Sequence, residues 1–387
     1  MSVTEITTTS WISRLGNSAK GIIAGLILLA ISFVLLFWNE GRAVQRAKAL
    51  QEGAAKVISV SADSINPAND GKLIHVSGKG FSSAQLKDNF FNIQMSALGL
   101  KRNVEMYQWQ EKSQSTTEKK VGGSTEKTTT YSYEKVWSET LLSSNDFKEP
   151  ATHQNPPRLL YPSEKYLASA VKLGAFELTQ AQLTSLDDWQ KFTLTSLQPM
   201  PNNGKITDGS LYLGNDPANP AIGDLKISYQ YLPDGLEMSI VARQVNSTFA
   251  PFATANGNIS LTKTGNHSAE AMFSIAKRAN HSMTWVLRII GFLLMFFGFN
   301  LIFAPLAVLG DVIPIVGSII GVGVALMSLL LALPLSLAII AIAWLVYRPV
   351  WAIVLLSIAG ITVLFAVKKI KAAKASRLLA GQKPTEI

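Results

Sequence analysis

The stretch "AKGIIAGLILLAISFVLLFW", residues 19–38, carries a single charge, Lys20, at its start. About twenty mostly apolar residues, at 1.5 Å of helical rise each, cross the roughly 30 Å of a bilayer's hydrocarbon core. The stretch therefore predicts a first transmembrane helix. A cleaved signal peptide fits less well, because the run ends in "WNEGRAV" and not in a small-residue cleavage site, and it exceeds a usual h-region of about 7 to 15 residues. The expectation is an uncleaved signal anchor with Trp38 at the interface.

Composition agrees with that reading. The 387 residues are 48% hydrophobic and 16% charged, with a mean hydropathy of +0.22, which is too apolar for an ordinary soluble domain of this length. There is no cysteine, which excludes disulfides and thiolate metal sites. The formal charge of +9 is partly concentrated in "KKIKAAKASR", 368–377. Lys368, Lys369, Lys371, Lys374 and Arg377 read as a cytoplasmic anchor facing anionic lipid headgroups, not as a nucleic-acid site.

From residue 39 to 283 the chain is polar, and the expectation is one large domain on one side of the membrane. Its first residues, "NEGRAVQRAKALQEGAAKVI", favour helix and extend the first span outward. Strands follow. In "DLKISYQY" the residues Leu225, Ile227, Tyr229 and Tyr231 alternate with polar ones, and after "PDG" so do Leu236, Met238, Ile240 and Ala242. The pattern predicts a hairpin with one buried face. A second hairpin joins "NVEMYQWQE" to "TYSYEKVWSET", with Tyr107 and Trp109 facing Tyr131, Tyr133 and Trp137. The segment between, 112–129, reads as a low-complexity mobile loop. The aromatic stripe is read as packing, with no cofactor.

Membrane sequence resumes at 284–304, the expected second span, whose Arg288 lies near enough to one end to snorkel to water. From 312 to 367 the chain is apolar except for Arg348 and Pro349. These two residues are assigned to a turn between spans at 325–347 and 350–367, because an arginine at the bilayer centre costs at least about 2.5 to 3.5 kcal/mol. Four spans return both termini to one side. The basic tail, 368–387, and the N-terminal residues, 1–18, are then cytoplasmic and the domain extracytoplasmic. A five-span alternative would export the basic tail.

Between spans two and three, residues 305–324 are expected to form a cytoplasmic-side interfacial or re-entrant segment. Its one charge is Asp311, the sole charged residue between Arg288 and Arg348. Two roles are open for it: capping the helix that follows, or marking an ion path. Gly21 with Gly25 and Gly317 with Gly321 are small-xxx-small pairs, the spacing that lets helices pack closely, within one chain or between copies.

Catalytic signatures are missing. His75, His153, His267 and His281 are scattered without metal-ligand spacing. No P-loop, nucleophile elbow or dinucleotide fingerprint occurs, and "GKGF" after His75 lacks the context of a phosphate cradle. Asn246, Asn258, Asn266 and Asn280 open glycosylation sequons, which matter only in a secretory lumen. No enzyme, cofactor or metal is expected.

Several stretches, in order, resemble one family: "WNEGRAV", "YSYEKVWSETLLSSNDF" followed by "HQNP", "GDLKISYQY" leading to "SIVARQ", and "AWLVYRPVWA". They are similar to the LUMA family of four-span transmembrane proteins over about 38–355. The resemblance implies one large extracytoplasmic domain between spans one and two. For animal members it also implies the endoplasmic reticulum and inner nuclear membrane, oligomerisation, and lamina and emerin-type partners. Composition favours a bacterial inner-membrane member with a periplasmic domain. The expected fold is four transmembrane α-helices with an inserted β-rich α+β domain. The expected function is a non-enzymatic, self-associating scaffold organising membrane or envelope components, with no nucleic-acid partner. A membrane-protein chaperone or stress factor, and a channel or transporter using Asp311, are the alternatives.

Overall fold

The computed structural model describes residues 2–349. The expected fourth span, 350–367, and the basic tail with Lys368, Lys369, Lys371, Lys374 and Arg377 lie outside the described residues. The chain divides into a β unit, residues 2–11 and 46–279, and a helical unit formed by 12–45 and the residues from 280 onward.

Among the described residues three helices are long and apolar enough to cross a membrane: α1 (Trp11–Lys56), α2 (Ala269–Gly310) and α3 (Pro314–Tyr347). As expected, α1 runs on through the Ala-, Gln- and Lys-rich segment after the apolar run. The segment expected at 305–324 is helical on both sides of a short turn. Residues 305–310 end α2, three residues turn, and α3 runs unbroken from Pro314. Proline at the first helical position costs no hydrogen bond there and starts α3 directly, so the short apolar piece becomes the first turns of one 34-residue helix.

Six longer strands carry the β unit: β1 (Ser2–Thr9), β2 (Leu73–Ser82), β3 (Ile93–Lys119), β4 (Thr125–Ser138), β5 (Leu225–Pro233) and β6 (Leu236–Val245). Among the described residues one sheet has nine strands, ordered β1, β4, β3, β5, Ser210–Leu213, Gly204–Thr207 along its main path. A second has seven, with β6 beside β2 at its centre. Inward residues of both sheets share one core that includes Val76, Leu98, Leu100, Phe176, Ile227, Tyr229, Met238 and Ile240.

Two sequence expectations change here. The alternating runs of β5 and β6 do not make a hairpin: β5 pairs with β3, while β6 pairs with β2. Gly235, at φ +78, turns the chain from one sheet into the other. Each run buries one face, but against a facing sheet and not beside the other run. The β3/β4 hairpin does form, with Tyr107 opposite Trp137 and their rings 5.1 Å apart. Its supposed mobile loop is strand. Pairing continues out to Lys119 opposite Thr125, leaving a turn at 120–124. Threonine favours extended backbone, and β1 adds a third strand through eight register pairs, Ser2 with Ser132 to Thr9 with Thr125.

Candidate functional site

Helices α1 and α2 approach closely because glycine faces glycine. A Cβ on Gly25 would lie 2.6 Å from the Gly298 carbonyl oxygen, and one on Gly298 would lie 3.0 Å from that of Gly25. Gly21 faces Leu301 of the same helix pair, and Ser32 donates a 2.8 Å bond to the Gly291 carbonyl. These glycines serve packing within the chain. Leu36, Met295, Ala332 and Ile339 form the small core of the three helices.

Among the described residues of the helical unit, ion pairs form at two places. At the first, Glu40 is fully buried and accepts from Arg288 Nε at 2.7 Å, from an Arg288 terminal nitrogen at 3.0 Å, and from Trp344 Nε1 at 2.8 Å. The Arg288 guanidinium lies 4.9 Å from the Trp285 ring centre and 5.9 Å from that of Trp344. One carboxylate thus ties α1, α2 and α3 together. Around it, the Asn39 amide donates to the Thr284 carbonyl at 3.0 Å, and Arg42 donates to Asn39, Asn280 and Thr284. Gly41 makes room for the Tyr347 ring, 2.7 Å from where a Cβ would stand. Every residue of "NEGR" has its own part in the junction. The Arg288 side chain is 15% exposed and is held by the Glu40 carboxylate at two points. Helix α3 ends there, with Arg348 as its C-cap residue, 5.6 Å over Trp344, and Pro349 exposed beyond it.

At the second place Asp311, 1% exposed, is bonded to Arg14. It does not cap α3. The cap position belongs to Ile313 and has no side-chain bond, since Pro314 leaves one fewer N–H to satisfy. Gly317 packs directly on Asp311, whereas Gly321 has nothing within 4 Å among the described residues. Arg14 and Glu40 are separated by about 39 Å along α1, and Arg288 and Asp311 by about 35 Å along α2. That spacing matches a bilayer of roughly 30 Å hydrocarbon, or about 40 to 45 Å with its headgroups. The two ion pairs stand at opposite ends of the apolar helices.

The β unit holds a third buried ionic cluster. Arg102 and Asp88 are both fully buried and bonded at 2.6 Å; Arg102 also donates to Glu164 at 3.0 Å and to the Pro162 carbonyl at 3.0 Å. Tyr229 donates to the other Asp88 oxygen at 2.6 Å. Burial, and then the bond to Asp88, push the Tyr229 hydroxyl far above the usual tyrosine range. Burial opposes the Arg102 charge, but Asp88 outweighs it and the guanidinium is held above its ordinary value. In "HQNP", Asn155 accepts from the Trp109 amide at 2.7 Å and donates to the Trp109 carbonyl at 2.9 Å, acting as one more strand residue beside β3. His153 stacks on Tyr133 at 3.7 Å. His75 bonds the His267 carbonyl at 2.8 Å and sits 3.2 Å from the Ser59 hydroxyl. His153 and His75 are thus individual packing elements, and among the described residues no group of three His, Asp or Glu side chains is set to hold a metal.

Sequence reasoning found Asp311, Arg348 and the glycines, but passed over Glu40, Arg14, Asp88 and Arg102. One signal was available: Glu40 and Arg288 each stand at the domain-facing end of an apolar run, where opposite charges find each other.

Comparison with known proteins places this arrangement. The family model described as transmembrane protein 43 matches residues 106–349, a stretch that includes Arg288, Asp311 and Trp344. Human transmembrane protein 43 is 33% identical over 376 residues, covering 94% of each chain. The rat protein of that name is 32% identical over 368 residues, 92% of each. A Drosophila melanogaster homolog is 30% identical over 333 residues, 84% of this chain and 88% of the fly protein. No solved structure matches. An integral membrane protein with a large β-rich domain, similar over nearly its whole length to these animal proteins, the chain belongs to the transmembrane protein 43, or LUMA, family.

Proposed function

We propose that this protein is a non-enzymatic, self-associating membrane scaffold whose β unit lies on the extracytoplasmic side and organises membrane or envelope components. That side is the periplasm if the source is bacterial and the reticulum lumen if it is eukaryotic. The basic tail adds attraction to anionic lipid headgroups. The observation that carries the reading is the use of charge. The carboxylates Glu40 and Asp311 are both consumed by arginines within the chain, so the helical unit invests its costly buried charges in rigidity. An Asp311 ion path loses its motivation for the same reason.

What remains outward on α3 among the described residues is a small-residue face at Gly321 and Gly323, each with nothing within 4 Å there, the kind of surface on which a further helix packs. The test is the particle mass in lipid nanodiscs, by light scattering, for the native chain and for a Gly321→Ile, Gly323→Ile variant. A defined assembly that dissociates in the variant supports the scaffold. A monomer in both overturns it.

A further inference from the structure

The outer face of the nine-stranded sheet gathers lysines that no carboxylate answers. Side chains along a strand alternate between the two faces of its sheet. In β3, Leu100, Arg102 and Val104 are fully buried, so Lys101, Asn103 and Glu105 stand on the opposite face. Register carries that face across the sheet. Lys101 is opposite Lys165 of the strand Glu164–Leu167 on one side and opposite Gln230 of β5 on the other, and Gln230 is opposite Lys191 of the strand Gln190–Phe192. One row thus reads Lys165, Lys101, Gln230, Lys191. A second row on the same face reads Glu105, Lys226, Tyr212, Lys205. Between the two rows lie Asn103 and Ser228, opposite each other.

Five lysines therefore share these rows with one carboxylate, Glu105. Among the described residues none of the five is ion-paired to an acidic side chain. Lys191 and Lys205 turn to the backbone carbonyls of Asp208 and Asn215, and the Lys165 ammonium lies 5.0 Å from the Trp189 ring centre. Like charges directly opposite each other weaken a sheet, and Lys101 with Lys165 is such a pair, on strands about 4.8 Å apart. Folding gains nothing from the arrangement. An anion laid across the row turns the repulsion into attraction.

Asn103 selects the kind of anion. It is 9% exposed, its Oδ1 is buried without a donor, and its Nδ2 reaches Gln230 Oε1 only at 3.5 Å. Lipid phosphates only accept hydrogen bonds, whereas a polypeptide brings backbone N–H donors together with its carboxylates.

We propose that this face binds an acidic polypeptide segment, with carboxylates over Lys101, Lys165, Lys191 and Lys226 and a backbone donor for Asn103. The inference rests on the scaffold reading in one respect, that the β unit recruits other components, and it names their chemical class. It needs no self-association, so binding and particle mass fail separately.

The probe is a fluorescent synthetic peptide that alternates Glu with Ser, added to the full chain in phosphatidylcholine nanodiscs and followed by anisotropy. Saturable binding is expected, weakened about tenfold or more by Lys101→Gln, Lys165→Gln and Lys191→Gln together, and retained with Lys101→Arg, Lys165→Arg and Lys191→Arg. The neutral variant should unfold at the native temperature or above it, because the repulsion is gone, which separates lost contact from lost fold. No binding to the native chain, or equal binding to the neutral variant, overturns the proposal. A lower unfolding temperature of the neutral variant overturns it as well, since the repulsion is its premise. So does co-flotation of the chain with phosphatidylserine vesicles that depends on these lysines and that the peptide cannot compete away, which makes the face a lipid contact. A monomeric particle that binds the peptide keeps this inference and removes self-association alone.

Discussion

Glu40 and Arg288, 248 positions apart in the chain, form a two-point ion pair at the end of the apolar layer, with Trp344 as a third donor. The carboxylate has no exposure, so the interaction is not weakened by solvent as a surface pair would be. Its purpose is geometric: it fixes three helices to one another.

Replacing one partner leaves the other charge buried alone. Glu40→Gln should cost about 3 to 5 kcal/mol, the range for a broken buried pair, read as a lower unfolding midpoint in detergent. The double variant Glu40→Gln, Arg288→Met should regain a substantial part of that loss. An additive double variant would show that the pair is not coupled.

Gly317 and Gly321 are separated by one helical turn yet differ in surroundings. A side chain on Gly317 meets Asp311, and one on Gly321 meets nothing within 4 Å among the described residues. Gly317→Ala should therefore displace the Arg14–Asp311 pair and lower stability by about 1 to 3 kcal/mol, as overpacking does. Gly321→Ala should leave thermal stability unchanged or slightly raised. Equal midpoints for the two variants would contradict this arrangement.

Tyr229→Phe keeps the ring and removes the donor from one Asp88 oxygen. A buried acceptor left unsatisfied costs about 1 to 3 kcal/mol, and the loss should appear in denaturant unfolding of the full chain. Conversion of both charged partners, Asp88→Asn with Arg102→Met, should cost less than Arg102→Met alone, since no uncompensated carboxylate is left.

The pH dependence should follow His75. Burial lowers its pKa, opposed by the bond to the His267 carbonyl, from an ordinary value of 6.5. The folded ring thus resists protonation while the unfolded ring does not. Below about pH 6.5 the unfolded chain binds more protons, so stability falls as pH falls, until the folded ring also titrates. Above pH 6.5 this contribution is constant. Thermal scans from pH 7.5 to 5 should show the decline in the native chain and a flatter profile for His75→Gln.

Much of the architecture was legible from local pattern. The apolar runs of α1 and α2 announce themselves through length and absence of charge, and the β3/β4 hairpin through its paired aromatics. The runs of β5 and β6 were read correctly as strands with one buried face, but their partners were not. Alternation states which side chains turn inward and is silent about which strand lies alongside. Residues 112–129 were misread because a strand polar on both faces has no hydrophobic period, only the threonine content that suits extended backbone.

The candidate site was less legible. Asp311 stood out as a lone charge, but its partner is Arg14, 297 positions away, and Arg14 in isolation is an unremarkable charge ahead of an apolar run. The sequence by itself determined that this chain enters a membrane, where its apolar helices run, and that strands fill the long polar insert, because each follows from composition and period within one segment. Only the tertiary structure decided that the two carboxylates are locked to arginines, that two adjacent strands belong to different sheets, and that the N-terminal strand joins the domain's hairpin. These depend on contacts between segments far apart in the chain, and charge complementarity and backbone pairing select such partners only once the chain has folded.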